Sequence, residues 1–186
     1  MRTAALILAL ILAGCSKPAQ NQHAFHMTDI SGGMPKLDFH MTADGKAVSA
    51  ADFRGKVVAL YFGYTHCPDV CPTTLATLND MAAKVASPDV RVLFVTVDPE
   101  RDTYAVMADY AKAFSPQVVG LRGSDNQLAS LARTYRVAYQ VKKGSPYEVM
   151  HSNAVFFFDR DGRARLVTTD TSDANAMAED VKRLLN

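Results

Sequence analysis

Hydrophobic residues fall into short continuous runs and helical stripes that alternate along most of the chain. Residues 57–62 form an unbroken apolar run, which is typical of a strand buried on both faces of a sheet. Apolar side chains then recur at helical spacing from Leu75 to Val85, and Pro72 suits the first turn of the helix they predict. The same reasoning predicts strands at 90–97, 154–158 and 164–167, and helices at 72–86, 103–114, 124–135 and near the C-terminus.

The part of the chain before the first buried strand has a different pattern, in which turn residues separate short extended segments. Asp44-Gly45 and Gly55 mark turns within residues 37–58, which predicts a β-hairpin leading into that strand. Strands and helices then alternate before a second hairpin and a final helix. This order predicts an α/β protein with a thioredoxin-like fold and an N-terminal β-hairpin extension, in a single domain at residues 37–186.

Residues 1–15 have the features of a bacterial export signal. Arg2 precedes an uncharged apolar run that ends at Gly14 and is too short to cross a bilayer as a helix. The Leu-Ala-Gly-Cys at its end resembles the lipobox of bacterial lipoproteins. We therefore expect a lipoprotein signal peptide at residues 1–14, and a lipidated Cys15 followed by a tether at residues 15–36. A plain signal peptide or an uncleaved anchor is the alternative.

Export changes the meaning of the charge and of the cysteine count. The expected location is extracytoplasmic, in the periplasm, with acyl chains anchoring the protein to a membrane. The 20 Lys and Arg residues nearly balance the 19 Asp and Glu residues, so we exclude nucleic acid as a partner, since no positive surplus exists to bind it. Of the three cysteines, Cys15 is assigned to lipid, which leaves Cys67 and Cys71.

Cys67 and Cys71 lie between the first buried strand and its helix, where α/β sheets place their functional sites. Their spacing is compatible with a disulfide and also leaves space for an ion between the sulfurs. Amides at the start of the helix favour thiolates, which are soft ligands for Cu(I), zinc or an iron–sulfur cluster. Two cysteines cannot hold a cluster alone, whereas two thiolates and one imidazole suit copper. The third ligand must come from elsewhere in the chain.

Five histidines are candidates for that third ligand. Three of them lie in the predicted tether or in the edge segment that follows it, and we expect them to be solvated: His23, His26 and His40. His66 adjoins Cys67, but its side chain points away from that cysteine if the chain is extended there. His151 lies in a predicted loop before the strand at 154–158, and such a loop can approach the first helix. Spacing alone leaves a structural role for His151 open.

The cysteine motif and three other segments resemble a known family. Residues 55–75 contain Tyr-Thr-His-Cys-Pro-Asp-Val-Cys-Pro, and the other segments are residues 94–103, 120–123 and 147–152. In this order they are similar to the SCO/SenC/PrrC family of copper-binding assembly factors. The resemblance implies a thioredoxin fold that binds Cu(I) or Cu(II) through three ligands, here Cys67, Cys71 and His151.

The resemblance also implies partners and a role. It implies delivery of copper to the binuclear copper centre of cytochrome c oxidase, or reduction of the cysteines of that centre. The expected partners are therefore the copper-bearing subunit of the oxidase and another periplasmic copper carrier. A metallochaperone is favoured over an enzyme, although thiol–disulfide reductase activity is compatible with the same residues.

Two positions near the predicted site have roles that the sequence leaves open. Asp98 ends the second buried strand at the same sheet edge as the cysteines. It is either a hydrogen-bond acceptor or docking charge beside the metal ligands, or a turn and cap residue. The family often has Asp before the late histidine, whereas this chain has Met150, which is then a weak soft donor or a packing residue.

The same residues fit two functions besides copper delivery. A thiol–disulfide oxidoreductase uses Cys67 and Cys71 as a redox-active pair and has no need of His151. A redox or copper sensor that signals to a membrane partner uses all three residues. In the copper-delivery hypothesis the reduced pair holds copper together with His151, and oxidation of the pair to a disulfide removes both thiolates and releases the metal.

Overall fold

A mixed six-stranded sheet with helices on both faces forms the centre of the computed structural model, which describes residues 24–186. The expectations for residues 1–23, including the signal peptide, Cys15 and His23, lie outside the described residues. The elements in chain order are β1 (Thr28–Asp29), β2 (His40–Ala43), β3 (Lys46–Ser49), a 3-10 turn (Ala50–Phe53), β4 (Val57–Gly63), α1 (Val70–Val85), β5 (Val90–Thr96), α2 (Tyr104–Lys112), β6 (Val118–Leu121), α3 (Asp125–Thr134), β7 (Tyr139–Lys142), β8 (Glu148–His151), β9 (Val155–Phe158), β10 (Ala164–Thr168) and α4 (Ala174–Leu185).

Strand β4 is the central element of this sheet, and all of its residues are buried. The strand order is β1-β10-β9-β4-β5-β6, in which β4, β5 and β6 are parallel and β9 runs antiparallel to β4. Successive residues of β4 face opposite sides, so Tyr61 packs in the core beneath α1 and α4, whereas Leu60 and Phe62 pack in the core beneath α3. Burial on both faces explains why this strand has no polar alternation.

The N-terminal β-hairpin extension is confirmed. Strands β2 and β3 pair antiparallel across a turn in which Asp44 and Gly45 have φ values of 48° and 73°. Two positive φ values are typical of the hairpin turn that the Asp-Gly pair predicts. The hairpin is joined to the main domain through reciprocal backbone hydrogen bonds between Thr42 and Arg122.

The segment before this hairpin is more ordered than the predicted tether. Strand β1 pairs with β10 at the edge of the sheet, and the buried Met27 donates its backbone N–H to Asp180 at 2.8 Å. Of the tether predicted at residues 15–36, residues 24–36 therefore pack against the domain. Within residues 24–186 no helix has both the length and the apolarity required to span a bilayer.

Other differences from the sequence-based expectations concern short elements. Helix α1 begins at Val70 rather than at Pro72, so that Cys71 lies in its first turn. Strands β1, β6, β7 and β8 have two to four residues each, and the hydrophobic pattern did not predict them. The long buried strands and all four helices match the predictions within a few residues.

Gly120 in β6 provides a test of the packing between this sheet and helix α2. A Cβ at this position would lie 2.7 Å from the backbone oxygen of Met107, which a side-chain rotation cannot relieve. We expect Gly120→Ala to lower the free energy of unfolding by about 1–3 kcal/mol, as overpacking does elsewhere. Chemical denaturation measures the change. The matched control is Gly33→Ala, whose Cβ would lie at 3.4 Å from Ile30 O, and equal midpoints for the two variants would contradict the prediction.

Candidate metal centre

The cysteine motif and His151 meet at the end of strand β4, although they are far apart in the sequence. Cys71 lies in the first turn of α1, directly after the loop that leaves β4. The hairpin formed by β7 and β8 brings His151 to the same place, where its Nε2 lies 3.4 Å from the Sγ of Cys71, 80 residues away along the chain. The structure thus brings the predicted ligands together.

His151 is not in a loop, as the sequence suggested, but is the last residue of strand β8. Its Nδ1 lies 2.9 Å from the carbonyl oxygen of Ser152, which can only accept, so Nδ1 carries the proton. The lone pair is therefore on Nε2, the nitrogen that faces Cys71. A backbone acceptor on the other ring nitrogen is the usual way in which proteins orient a metal-binding imidazole. The ring of Tyr64 meets the imidazole edge-on at a centroid distance of 5.8 Å.

Cys67 is half-buried at the surface of the site and has the more acidic thiol. Its Sγ accepts a hydrogen bond from the backbone N–H of Cys71 at 3.4 Å, an amide of the first helical turn that would otherwise lack a partner. Partial burial acts to raise the pKa of Cys67, but the N–H groups of Asp69 and Cys71 outweigh it and the pKa lies below the usual range of a thiol. The expected effect of the helix amides is therefore present at this sulfur.

Cys71 is fully buried, and its thiol differs from that of Cys67. Burial raises the pKa of Cys71 to about 12, so without a metal its S–H stays protonated and can donate to Nε2 of His151. The residue opposite its sulfur is Gly63, where a Cβ would lie only 2.9 Å from Sγ. The glycine at the end of β4 therefore leaves the space that the sulfur occupies.

This donor set suits a soft metal ion that replaces the proton between Cys71 and His151. Two sulfurs and one neutral imidazole nitrogen are the ligands that Cu(I) prefers. Within the described part of the chain, no group of three or more His, Cys, Asp or Glu side chains is already arranged to hold a metal ion.

Asp98 and Asp102 lie in the loop between β5 and α2, and both side chains are buried. Asp98 accepts hydrogen bonds from Tyr147 Oη at 2.8 Å and from Arg101 Nε at 2.5 Å. These contacts connect the loop after β5 to Tyr147, just before β8. Within residues 24–186, Asp98 has no hydrogen bond to a cysteine or to His151. The acceptor beside His151 is instead the carbonyl of Ser152.

Asp102 is a site residue that the sequence did not single out. Its carboxylate accepts from the backbone N–H of Thr65 at 3.0 Å and from the Thr65 hydroxyl at 2.5 Å, two residues before Cys67. The hydroxyl of Thr96 donates to the same carboxylate at 2.6 Å. The only local signal was an acidic residue close after a buried strand, because its partners come from elsewhere in the chain.

The remaining candidates lie away from the sulfurs. His26 pairs with Glu179 at the surface, and His40 is exposed, as expected. His66 is half-exposed, with its Nδ1 3.4 Å from an Asp102 oxygen. Met150 is 61% exposed, so the expected packing role is wrong, and strand alternation places its side chain on the face opposite His151.

Comparisons with known proteins identify a single family. The SCO1/SenC family profile matches residues 35–186. The mitochondrial SCO2 homolog of Bos taurus is 36% identical in an alignment of 203 residues including gaps. The alignment covers 98% of this chain and 75% of the bovine protein. Copper-bound ScoI of Arabidopsis thaliana has a TM-score of 0.74 at 34% identity, over 80% of this chain and 96% of that one. Copper-bound ScoI of Bradyrhizobium japonicum has a TM-score of 0.72 at 35% identity, over 80% and 98% respectively. The resemblance drawn from the motifs and the predicted fold are both confirmed.

The difference in pKa between Cys67 and Cys71 predicts different rates of alkylation in the reduced protein. Because the thiolate is the nucleophile, iodoacetamide at pH 8 should label Cys67 roughly a hundred times faster than Cys71, or more. Labelling of Cys71 should continue to rise with pH up to its pKa of about 12, whereas labelling of Cys67 should level off at a lower pH. Peptide mass spectrometry after timed quenching measures both rates. Comparable rates for the two sulfurs at pH 8 would contradict the difference.

Proposed function

The chain belongs to the SCO1/SenC family, and from this premise we propose that it is a copper metallochaperone. Cys67, Cys71 and His151 bind Cu(I) or Cu(II), and the protein delivers the metal to the copper-bearing subunit of cytochrome c oxidase. Copper is the cargo, and the copper in the two solved ScoI structures supports this choice of metal. Another periplasmic copper carrier supplies it.

The approach of Cys71 Sγ to His151 Nε2 at 3.4 Å is the observation that carries this proposal. A purely redox-active pair of cysteines does not require an oriented imidazole at its buried sulfur. Zinc prefers four protein ligands at a structural site and an iron–sulfur cluster needs four cysteines, whereas three soft or borderline ligands suit copper. The donor set therefore favours a copper carrier.

Transfer follows from the position of the two sulfurs. Cys67 is partly exposed, whereas Cys71 is fully buried. A thiolate of the acceptor can therefore replace Cys67 first, and copper then leaves Cys71 and His151 by ligand exchange. The reduced protein keeps its two thiols after this transfer, so no electrons are exchanged.

The acidity of Cys67 favours a second candidate function, reduction of the cysteines in the acceptor. The Cys67 thiolate attacks an acceptor disulfide, which forms a mixed disulfide and releases one acceptor thiol. Cys71 then loses its proton and attacks Cys67, which releases the second acceptor thiol and leaves a Cys67–Cys71 disulfide. A sensor that signals to a membrane partner has no specific contact in its favour.

Anaerobic copper titration of the reduced full-length chain in detergent, against a competing chelator, tests the three-ligand site. We expect His151→Ala to weaken Cu(I) binding by about 10- to 100-fold, because one of three ligands is lost. Cys67→Ser and Cys71→Ser should weaken it at least as much. His40→Ala is the matched control, since His40 is exposed and lies outside the site.

Two results would count against this assignment. Unchanged copper affinity and unchanged sulfur-to-copper absorption in His151→Ala would remove the imidazole from the ligand set. Rapid reduction of a protein disulfide, equally fast with and without His151, would favour the oxidoreductase instead.

We further propose that the protein is tethered to a membrane on the extracytoplasmic side through lipid on Cys15. The apolar run that ends in Leu-Ala-Gly-Cys supports this, with residues 1–14 as the signal peptide. In this proposal the tether at residues 15–36 connects the lipid to the domain at residues 37–186. Several acyl chains on one cysteine anchor a protein far more firmly than a single chain does.

Intact-mass measurement of the protein purified from bacterial membranes tests the anchor. We expect a chain that starts at residue 15 and carries acyl groups, and a Cys15→Ser variant without acyl groups. Cys67→Ser is the control, because it also removes one thiol and should keep the lipid. An unacylated chain that retains residues 1–14 would point to an uncleaved anchor.

A further inference from the structure

The hairpin of β7 and β8 carries His151 but does not belong to the six-stranded sheet. Its base is closed where the Ser152 N–H donates to the carbonyl of Ala138 at 2.8 Å. The inward side chains Val141 and Val149 are only partly buried, and the outward ones are exposed. Tyr139 and Val149 pack against the core beneath α3, and because this buried surface is small, contacts at the tip help to keep the hairpin in one orientation.

The contacts at the tip centre on three residues, which we call the latch: Asp98, Arg101 and Tyr147. Tyr147, just before β8, donates its hydroxyl to Asp98 Oδ1 at 2.8 Å. The guanidinium of Arg101 lies 3.9 Å from the centre of the Tyr147 ring, and its Nε donates to Asp98 Oδ2 at 2.5 Å. Lys143 and Glu100 form an ion pair beside them.

The buried charge of Asp98 favours one orientation of the hairpin over others. The Asp98 side chain is 1% exposed, so its carboxylate is stable there only if its oxygens keep their donors. Rotation of the hairpin away from the domain would leave Oδ1 without the Tyr147 hydroxyl. It would also remove the aromatic ring that Arg101 covers.

The loop that holds the latch also holds the cysteines. Asp102, four residues after Asp98, binds the backbone and hydroxyl of Thr65 at the start of the cysteine loop. Arg101 lies 5.8 Å from the ring of Tyr64, the residue whose edge meets His151. One loop is thus fixed both to the segment with the sulfurs and to the hairpin with the imidazole.

We propose that Asp98, Arg101 and Tyr147 are positioning residues for copper binding, which hold the hairpin so that His151 Nε2 faces the two sulfurs. None of the three is among the proposed ligands, and Tyr147 lies at the opposite end of β8 from His151. This assignment rests on the proposed copper site and gives Asp98 a role in it. Asp98 acts through the hairpin and not as a direct acceptor for a ligand.

Tyr147→Phe tests the latch with the smallest change, since it keeps the ring over Arg101 and removes only the hydroxyl. We expect copper affinity of the full-length protein to fall about tenfold, as the loss of a partner to a buried charge predicts. The imidazole nitrogen signal in the electron paramagnetic resonance spectrum of the Cu(II) form should weaken in parallel. Glu148→Gln is the matched control, because it breaks only the exposed Lys142 pair within the hairpin and should leave both measurements unchanged.

The double variant separates positioning from general damage. If Tyr147 acts through His151, Tyr147→Phe in the His151→Ala background should cost no further affinity. Equal losses in both backgrounds, or no loss in the single variant, would overturn the proposal. Arg101→Lys provides a second route if Tyr147→Phe does not fold. It keeps the charge beside Asp98 but loses the planar cation over the ring, and we expect a loss of about threefold that again vanishes without His151.

These outcomes are distinct from failure of the proposed function itself. If His151→Ala alone leaves copper affinity unchanged, the three-ligand site is wrong whatever Tyr147→Phe does. If His151→Ala weakens binding and Tyr147→Phe does not, the copper site stands and the latch fails.

Discussion

The arrangement of the site depends on two buried carboxylates in the loop between β5 and α2. Asp98 is 1% exposed and Asp102 is fully buried, and a buried charge that loses its partners costs several kcal/mol. Asp102 meets this requirement with donors from Thr65 and Thr96, and Asp98 meets it with Arg101 and Tyr147. Satisfying the two carboxylates therefore fixes the cysteine loop and the hairpin against the same end of the sheet. These contacts add to the direct ones between the two segments, which run from Cys71 and Tyr64 to His151.

The two sulfurs have different roles because a helix begins between them. Cys67 lies before the first turn and caps an amide of that turn, which lowers its pKa and leaves it at the surface. Cys71 lies inside the turn, is buried and shares its proton with an imidazole. A metal that replaces this proton removes the cost of keeping a thiolate in the interior, since metal and thiolate charges offset one another. In the proposed copper site, Cys71 and His151 would therefore retain the metal, and the more exposed Cys67 would exchange it.

The sequence predicted the parts of the molecule whose signals are local. The apolar run of β4 extends over several residues, and the apolar stripe of α1 extends over several helical turns. The Asp-Gly pair before β3 favours one type of hairpin turn. Strands β7 and β8 were missed because each has only four residues, so their alternation of apolar and polar side chains was too short to stand out. The placement of His151 depended on the family resemblance, because no local pattern brings residue 151 to residue 71. Asp102 and Tyr147 were not identified as site residues for the same reason, since their partners lie 37 and 49 residues away.

The register of the hairpin decides what the unusual Met150 can do. His151 pairs with Tyr139 and Met150 pairs with Gln140, so the two neighbouring side chains leave the hairpin on opposite faces. For the thioether of Met150 to reach the copper ligands, the strand would have to slip by one residue, which would move His151 to the solvent face. A substitution at position 150 therefore leaves the ligand set unchanged. It alters the exposed face of the hairpin, where this chain carries an uncharged, flexible apolar side chain in place of the Asp that the motif resemblance implies. The register thus gives Met150 no place among the proposed ligands.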